Sequence, residues 1–352
     1  MSLIKHKKSL SLMLTYQCTA ECTDCGTGSS PRVKEQIPLE DAIRFINEAR
    51  ERDFGVVVFT GGEATLRWKD LLRGISHATS IGLPSRLVTN AHWATSLDVA
   101  RGRIAALQRA GLKELNYSTG DEHARFIPIE RVINASQVAL EFGYRLSIMV
   151  ESRQTRTVTR DTVMSLLAER GMADHPMLSI VESPWMPLDP HRVESYREGT
   201  SPDADHVHLR KGCDSVLSTY TVQGDGRIGA CCGLGMRYLS ELNVGDLGTT
   251  LQACIEKSEK DILKLLVRFI GPMRILDWAG RKNPQIQWEG MYGHHCQACI
   301  RIYRDPAVAE VLKAHYIELL PELKDALYLE NRYVEAVTTQ HVAAAQKIVH
   351  EM

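Results

Sequence analysis

Apolar residues recur along the first half of the chain in two alternating rhythms. Short runs rich in β-branched residues, at 9–16, 55–60, 85–90, 114–118, 145–151 and 177–182, have the length and composition of strands. Between them, segments 39–53, 68–81, 96–110, 128–142 and 159–169 repeat their apolar residues at the three- and four-residue intervals of amphipathic helices. Six strand runs alternating with five helical ones predict parallel βα units. Right-handed crossovers wind such units into an open doubly wound sheet or a barrel-like one, and the period alone does not choose.

Past residue 188 the rhythm stops. Residues 186–212 are rich in Pro, His, Arg and Asp without a period and read as a linker. A second region follows from Cys213 to about Cys299, with the hairpin signal Gly224-Asp225-Gly226 between two strand-like runs. Residues 305–352 look helical and fit a C-terminal cap. The expected division is therefore 1–188, a linker at 189–212, a second unit at 213–304 and terminal helices at 305–352.

Composition narrows the chemistry. A chain of 352 residues corresponds to about two domains. Its 42 basic and 43 acidic side chains leave a net charge of −1, which offers no electrostatic footprint for nucleic acid or an anionic membrane. Lys5, Lys7 and Lys8 before an apolar run imitate a signal peptide, but the run is short and Gln17, not a small residue, precedes Cys18. No apolar stretch approaches a membrane span. Nine cysteines are too dilute for a disulfide scaffold and cannot all pair. A cytoplasmic, reduced protein using its thiols for chemistry or metal ligation is expected.

The thiols are clustered. Cys18, Cys22 and Cys25 form CxxxCxxC directly after the first strand run. Three soft thiolates at this spacing could ligate zinc, hold an iron-sulfur cluster or include a redox pair in Cys22 and Cys25. A structural zinc needs a fourth ligand, and none lies beside the triplet. Three cysteines on a four-iron cluster would instead leave one iron open. The second strand run ends in Gly61-Gly62-Glu63, where adjacent glycines allow close backbone approach and a carboxylate can accept from an ammonium group. A plain strand-to-helix turn is the other reading of these three residues. In a barrel-like fold both motifs open on the same face, at the C-terminal strand ends where ligands bind.

With these two motifs in consecutive βα units, the sequence resembles the radical S-adenosylmethionine (SAM) superfamily over about residues 9–188. The resemblance implies a partial six-stranded βα barrel, related to the TIM barrel, in which Cys18, Cys22 and Cys25 bind a 4Fe-4S cluster. SAM would chelate the open iron, with Gly61, Gly62 and Glu63 at its amino group. Polar strand ends supply the rest of the implied cofactor pocket: Thr89 and Asn90, Ser118 at the ribose, Glu151, and Arg153 or Arg156 at the carboxylate. One position departs from the family pattern: Asp24 stands where an aromatic residue usually precedes the third cysteine and packs beside adenine. Cluster binding is untouched by the change, but the adenine contact must come from elsewhere. The implied chemistry belongs to the cofactor: a reduced cluster cleaves SAM to a 5′-deoxyadenosyl radical that abstracts hydrogen from an unactivated C–H bond. The chain's task would be to hold that bond close and exclude water.

The second region holds Cys213, Cys231, Cys232, Cys254, Cys296 and Cys299. Four such thiolates could close a site around zinc or a further cluster. The order of a cysteine, a GDG strand pair, a CC pair and a late CxxC resembles the twitch or SPASM extension of radical SAM enzymes. Six cysteines fall short of a full SPASM set, which implies one auxiliary 4Fe-4S cluster on Cys213, Cys231, Cys296 and Cys299, with Cys232 as the alternative to Cys231. Cys254 reads as a buried helical thiol. His294 and His295 read as a solvated loop beside the CxxC. Asp121, Glu122 and His123 could meet substrate at the barrel mouth, or Asp121 could cap a helix. Tyr117, Tyr220 and Trp185 read as packing.

The resemblance to auxiliary-cluster enzymes implies modification of a side chain of a ribosomally made peptide or protein. The second reading is dehydrogenation of a small-molecule alcohol or sugar, and the third a non-catalytic zinc or cluster module. A reducing flavodoxin or ferredoxin-type donor is expected. Because 17 residues precede Cys18, recognition of a leader peptide is expected to fall to residues 187–212, the terminal helices or a separate peptide-recognition partner.

Overall fold

The computed structural model describes residues 3–233 and 235–351, with side chains as far as residue 337. The predicted βα alternation is present throughout the first half. In chain order it runs β1 (Ser9–Met13), α1 (Leu39–Glu51), β2 (Val56–Thr60), α2 (Trp68–Ser80), β3 (Ser85–Thr89), α3 (Leu97–Ala110), β4 (Glu114–Thr119), a short α4 (Asp121–Ala124), α5 (Ile129–Glu141), β5 (Arg145–Ser152), α6 (Arg160–Ala168) and β6 (Leu178–Pro184). The second half contains β7 (Thr219–Val222), β8 (Ile228–Gly229), β9 (Asn243–Gly245), α7 (Leu251–Ser258), α8 (Ile262–Phe269), α9 (Pro272–Lys282), α10 (His295–Arg304), α11 (Pro306–His315) and α12 (Leu320–Glu351).

Local chemistry sets the boundaries. Ser96 accepts from the Val99 amide and starts α3, Thr159 and Thr162 close a capping box on α6, and Asp261 accepts from the Leu263 and Lys264 amides to start α8. Strands β1 to β6 are all parallel and neighbours in sequence are neighbours in the sheet. The sheet curves without closing, so the barrel is partial. Along β4, Leu115, Tyr117 and Thr119 are buried against the helices, while Asn116 and Ser118 are half-buried on the concave face. Leu10, Leu12, Val57, Phe59, Leu87, Leu146 and Ile148 complete the buried side, facing Phe45, Ile46, Leu71, Ile75, Ile104, Leu107 and Val138 from the helices.

Two expectations need amending. The first strand stops at Met13, short of Tyr16, because residues beyond it pair elsewhere: Tyr16 N–H donates to Glu35 O, and Thr15 bridges to Gln36. The hairpin around Gly224-Asp225-Gly226 exists, but it is not detached. β7 lies parallel to β1, and antiparallel β8 and β9 follow, which gives one nine-stranded sheet in the order β6-β5-β4-β3-β2-β1-β7-β8-β9. Residues 189–212 are irregular apart from one 3-10 turn at Val207–Leu209. Asp305 and Pro306 start α11, and buried Leu319 and Leu323 seat the following helix on the body. Among the described residues no helix is long and apolar enough to cross a membrane.

Candidate functional site

The cysteine loop leaves the C-terminal end of β1 and is pinned at both ends: Cys18 N–H donates to Ser30 O at 3.1 Å, Cys25 N–H to Cys22 O at 3.3 Å and Gly28 N–H to Cys25 O at 2.8 Å. Asn90, at the end of β3, reaches the loop directly, its Nδ2 donating to Thr19 Oγ1 at 3.1 Å and lying 3.7 Å from Cys18 Sγ. Burial pushes the Cys18 thiol up to about 12 and Cys22 higher still, and each feels the neighbouring cysteines. Without a metal these thiols are therefore neutral at pH 7, and ligation must deprotonate them. The three are neighbours without converging on a point: among the described residues no three His, Cys, Asp or Glu side chains are placed to hold one metal ion.

Gly61 and Gly62 sit against this loop. A side chain at Gly62 would meet Gln17 O at 2.3 Å and Tyr16 O at 2.5 Å, so the tight approach of β2 to the entry of the cysteine loop requires glycine there. Glu63 is buried, and its carboxylate accepts from Thr65 N–H (3.1 Å), Thr65 Oγ1 (2.6 Å), Thr89 Oγ1 (2.8 Å) and Asn90 N–H (2.9 Å). Three of those bonds fall on Oε1 and one on Oε2, so the remaining acceptor capacity is on Oε2.

Glu151 is buried at the end of β5. It accepts from the Glu122 amide, from the His123 amide at 3.3 Å, and shares a 2.9 Å bond with His123 Nδ1. Its role in this arrangement is to hold the Asp121–Glu122–His123 turn. Ser118 lies on the concave face of the next strand. Arg153 differs from both: Nη2 is 3.5 Å from Glu122 Oε1, too distant for a good hydrogen bond, and Nε and Nη2 are buried without a hydrogen-bond partner. Arg156 is instead paired with Glu182 at 2.7 Å. Trp185 donates from Nε1 to Thr23 O at 3.0 Å, with the Arg153 guanidinium 5.9 Å and the His123 ring 6.0 Å from its ring.

Three residues shape this loop and its surroundings through partners that no local pattern marks. Glu122 accepts from Thr23 N–H at 3.0 Å, where the sequence suggested a substrate contact. Asp121 does not cap its own helix; it accepts from Thr157 and Val158 amides and pins that loop. Arg237, some two hundred residues away in sequence, donates to Thr27 O at 3.3 Å and Gly28 O at 2.9 Å and lies over the Tyr16 ring.

A second cavity is lined by Cys213, Cys231, Cys296 and Cys299, together with Gly233, Leu239, Leu242, Pro272 and His295. Burial raises the Cys213, Cys231 and Cys299 thiols, and the neighbouring cysteines raise them further. A side chain on Gly233 would meet Cys231 Sγ at 2.9 Å and Cys296 Sγ at 3.1 Å, so glycine keeps the space between these sulfurs open. Gly233 N–H also donates to Cys231 Sγ. Adjacent Cys232 is exposed and contacts Ser215 Oγ. Cys254 is buried in α7, outside the cavity wall. His294 is no solvated loop residue: its Nδ1 accepts from Cys296 N–H and caps α10, while His295 is exposed at the cavity edge. Tyr117 and Tyr220 are buried, as expected of packing residues.

No family model matches the chain. Among curated proteins it is 34% identical over 111 residues to PqqA peptide cyclase of Rhodopseudomonas palustris, covering 30% of this chain and 27% of that protein's length. It is 21% identical over 270 residues to YydG of Bacillus subtilis, a protein named for peptide biosynthesis, covering 75% of this chain and 81% of that protein. Among solved structures, native anSMEcpe with bound AdoMet and the Cp18Cys peptide superposes with a TM-score of 0.53 at 14% identity, over 91% of this chain and 99% of that one. A parallel six-stranded partial barrel carrying CxxxCxxC at the end of its first strand, with these relatives, agrees with the resemblance of the chain to the radical SAM superfamily.

Proposed function

We propose that the chain is a radical SAM enzyme that modifies a side chain of a ribosomally made peptide or protein in the cytoplasm. The observation that carries the reading is the neighbourhood of Cys18, Cys22 and Cys25 at the C-terminal end of β1, with Asn90 bonded to their loop and Glu63 beneath it. Three half-buried thiols brought together in one loop suit the corners of a 4Fe-4S cluster. When bound, that cluster and SAM supply the radical that removes hydrogen from an unactivated C–H bond.

The chain's own residues bind, orient and shield. Glu63 Oε2 has room for one more donor, as an ammonium group at the Gly61-Gly62-Glu63 turn would require. Arg153, with two buried nitrogens that lack a hydrogen-bond partner, is suited to a carboxylate, whereas Arg156 is committed to Glu182. Ser118 is placed on the concave face for a ribose, and Glu151 contributes by holding the adjoining turn. Trp185 brings an aromatic face to the loop that carries Asp24 in place of an aromatic residue. Cys213, Cys231, Cys296 and Cys299 hold one auxiliary 4Fe-4S cluster, a reading supported by their common cavity and by Gly233 between two of the sulfurs.

Peptide as the substrate class is supported by the relatives' names and by the peptide bound in the anSMEcpe structure. A flavodoxin or ferredoxin-type protein supplies the electron. The decisive experiment incubates anaerobically reconstituted, reduced protein with SAM. We expect 5′-deoxyadenosine from the native chain and none from the Cys18, Cys22 and Cys25 triple alanine variant; equal production by both would overturn the assignment. Co-expression with candidate precursor peptides, read by mass shift, tests the substrate class against a small-molecule alcohol or sugar.

A further inference from the structure

We infer that Asp24 is a positioning residue that fastens residues 185–192 as a strap between the two cysteine-lined sites, so that order in one is transmitted to the other. Its functional meaning rests on the reading of both as cluster sites. On the first side, Asp24 Oδ1 accepts from Leu188 N–H at 3.2 Å, Oδ2 pairs with the Arg192 guanidinium, and Trp185 Nε1 donates to Thr23 O. On the second side, Gln297 is fully buried on α10 between Cys296 and Cys299. Its Nε2 donates to Asp189 O at 3.2 Å and Arg192 O at 2.9 Å, and Tyr292 hydroxyl reaches Pro190 O.

Asp24 is the immediate neighbour of Cys25, and Gln297 of Cys296. The shortest connection between them passes through one residue, Arg192, whose side chain engages Asp24 and whose carbonyl engages Gln297, and a second runs through the adjacent pair Leu188 and Asp189. An aromatic side chain at position 24 has no carboxylate to accept from Leu188 N–H and form an ion pair with Arg192 at the same time. The departure from the family pattern thus supplies the side-chain attachment of the strap beside Cys25. A separate tie, from Gly235 N–H to Gly26 O and from Arg237 to Thr27 and Gly28 carbonyls, holds the cysteine loop independently, so loss of the strap contact leaves the loop attached to the body.

The test is amide hydrogen exchange on the full chain, unloaded, comparing native protein with Arg192→Ala and Arg192→Lys. Loss of this half-exposed ion pair should speed exchange about fivefold at residues 22–28 and in the first turn of α10 as well as in the strap. Amides of β3 and β4 should be unchanged, and the lysine variant should recover most of the protection. After reconstitution, Arg192→Ala should bind SAM about fivefold more weakly at unchanged iron content. Faster exchange confined to residues 189–196 would overturn the coupling. Because the exchange is read without iron or SAM, the two readings fail separately. A native chain that takes up neither iron nor SAM sinks the cluster reading alone. One that takes up both, with no spread of exchange in the variant, sinks the coupling alone.

Discussion

Cys231 and Cys232 are chemically identical neighbours, and only one of them faces the four-thiol cavity. Cys231 is buried in the cavity wall, while Cys232 is exposed beside Ser215. Cys231→Ala should therefore reduce the iron of reconstituted protein from about eight to about four per chain, while Cys232→Ala should retain about eight. Equal loss in the two variants would contradict the orientation. His294 offers a pH test. Its Nδ1 can accept from Cys296 N–H only while unprotonated, and burial, with His295 adjacent, pushes the imidazole down to about 4. A folded-state value below the unfolded value of about 6.5 means that the contribution is complete above pH 6.5 and is lost as pH falls toward 4. The loss is at most about 3 kcal/mol, and thermal unfolding followed across that window should show it. His294→Asn keeps a capping side chain without the titration and should flatten the profile; an unchanged profile would rule the histidine out as its source.

Single elements were the most legible part of the chain, and their ends were set by identifiable side chains. Residues 159–169 carried a helical period, and the observed α6, Arg160–Ala168, begins where the Thr159 hydroxyl accepts from the Thr162 amide and Thr162 reciprocates. Thr159→Ala should cost about 1 kcal/mol of unfolding free energy by denaturant titration, with little effect on iron content, since α6 packs behind the sheet. The first apolar run extends three residues beyond β1 because apolar character persists to Tyr16 while the pairing partner changes from β2 to the 30–37 segment. Periodicity records which side chains are buried and is silent about the strand to which the backbone bonds. Asp121, Glu122 and His123 show the same limit within one turn. Their charge was visible, but their partners Val158, Thr23 and Glu151 come from other elements.

At the scale of the whole molecule the loop of Cys18, Cys22 and Cys25 and the segment of Cys231 leave one continuous sheet, because β7 adds parallel to β1 and β8 follows it. The terminal helix contributes to the second cysteine group from a distance. Glu330 on α12 receives two 3.0 Å bonds from Arg268, a buried guanidinium that also donates to Cys213 O at 3.1 Å. Removing the partner of a buried charge is costly, so Glu330→Ala should lower unfolding free energy by about 2 kcal/mol and reduce auxiliary iron before that held by Cys18, Cys22 and Cys25. Unchanged stability would show that Arg268 is held by Asp214 and Cys213 alone.

The sequence by itself determined the βα order, the buried faces and the local triplet of thiols, because these depend on residues a few positions apart. Tertiary structure alone decided that the hairpin extends the barrel sheet, that Cys231 and not Cys232 faces Cys213, Cys296 and Cys299, and that Asp24 anchors a strap. Each of those depends on contacts between residues tens to hundreds of positions apart, for which neither composition nor period carries a signal.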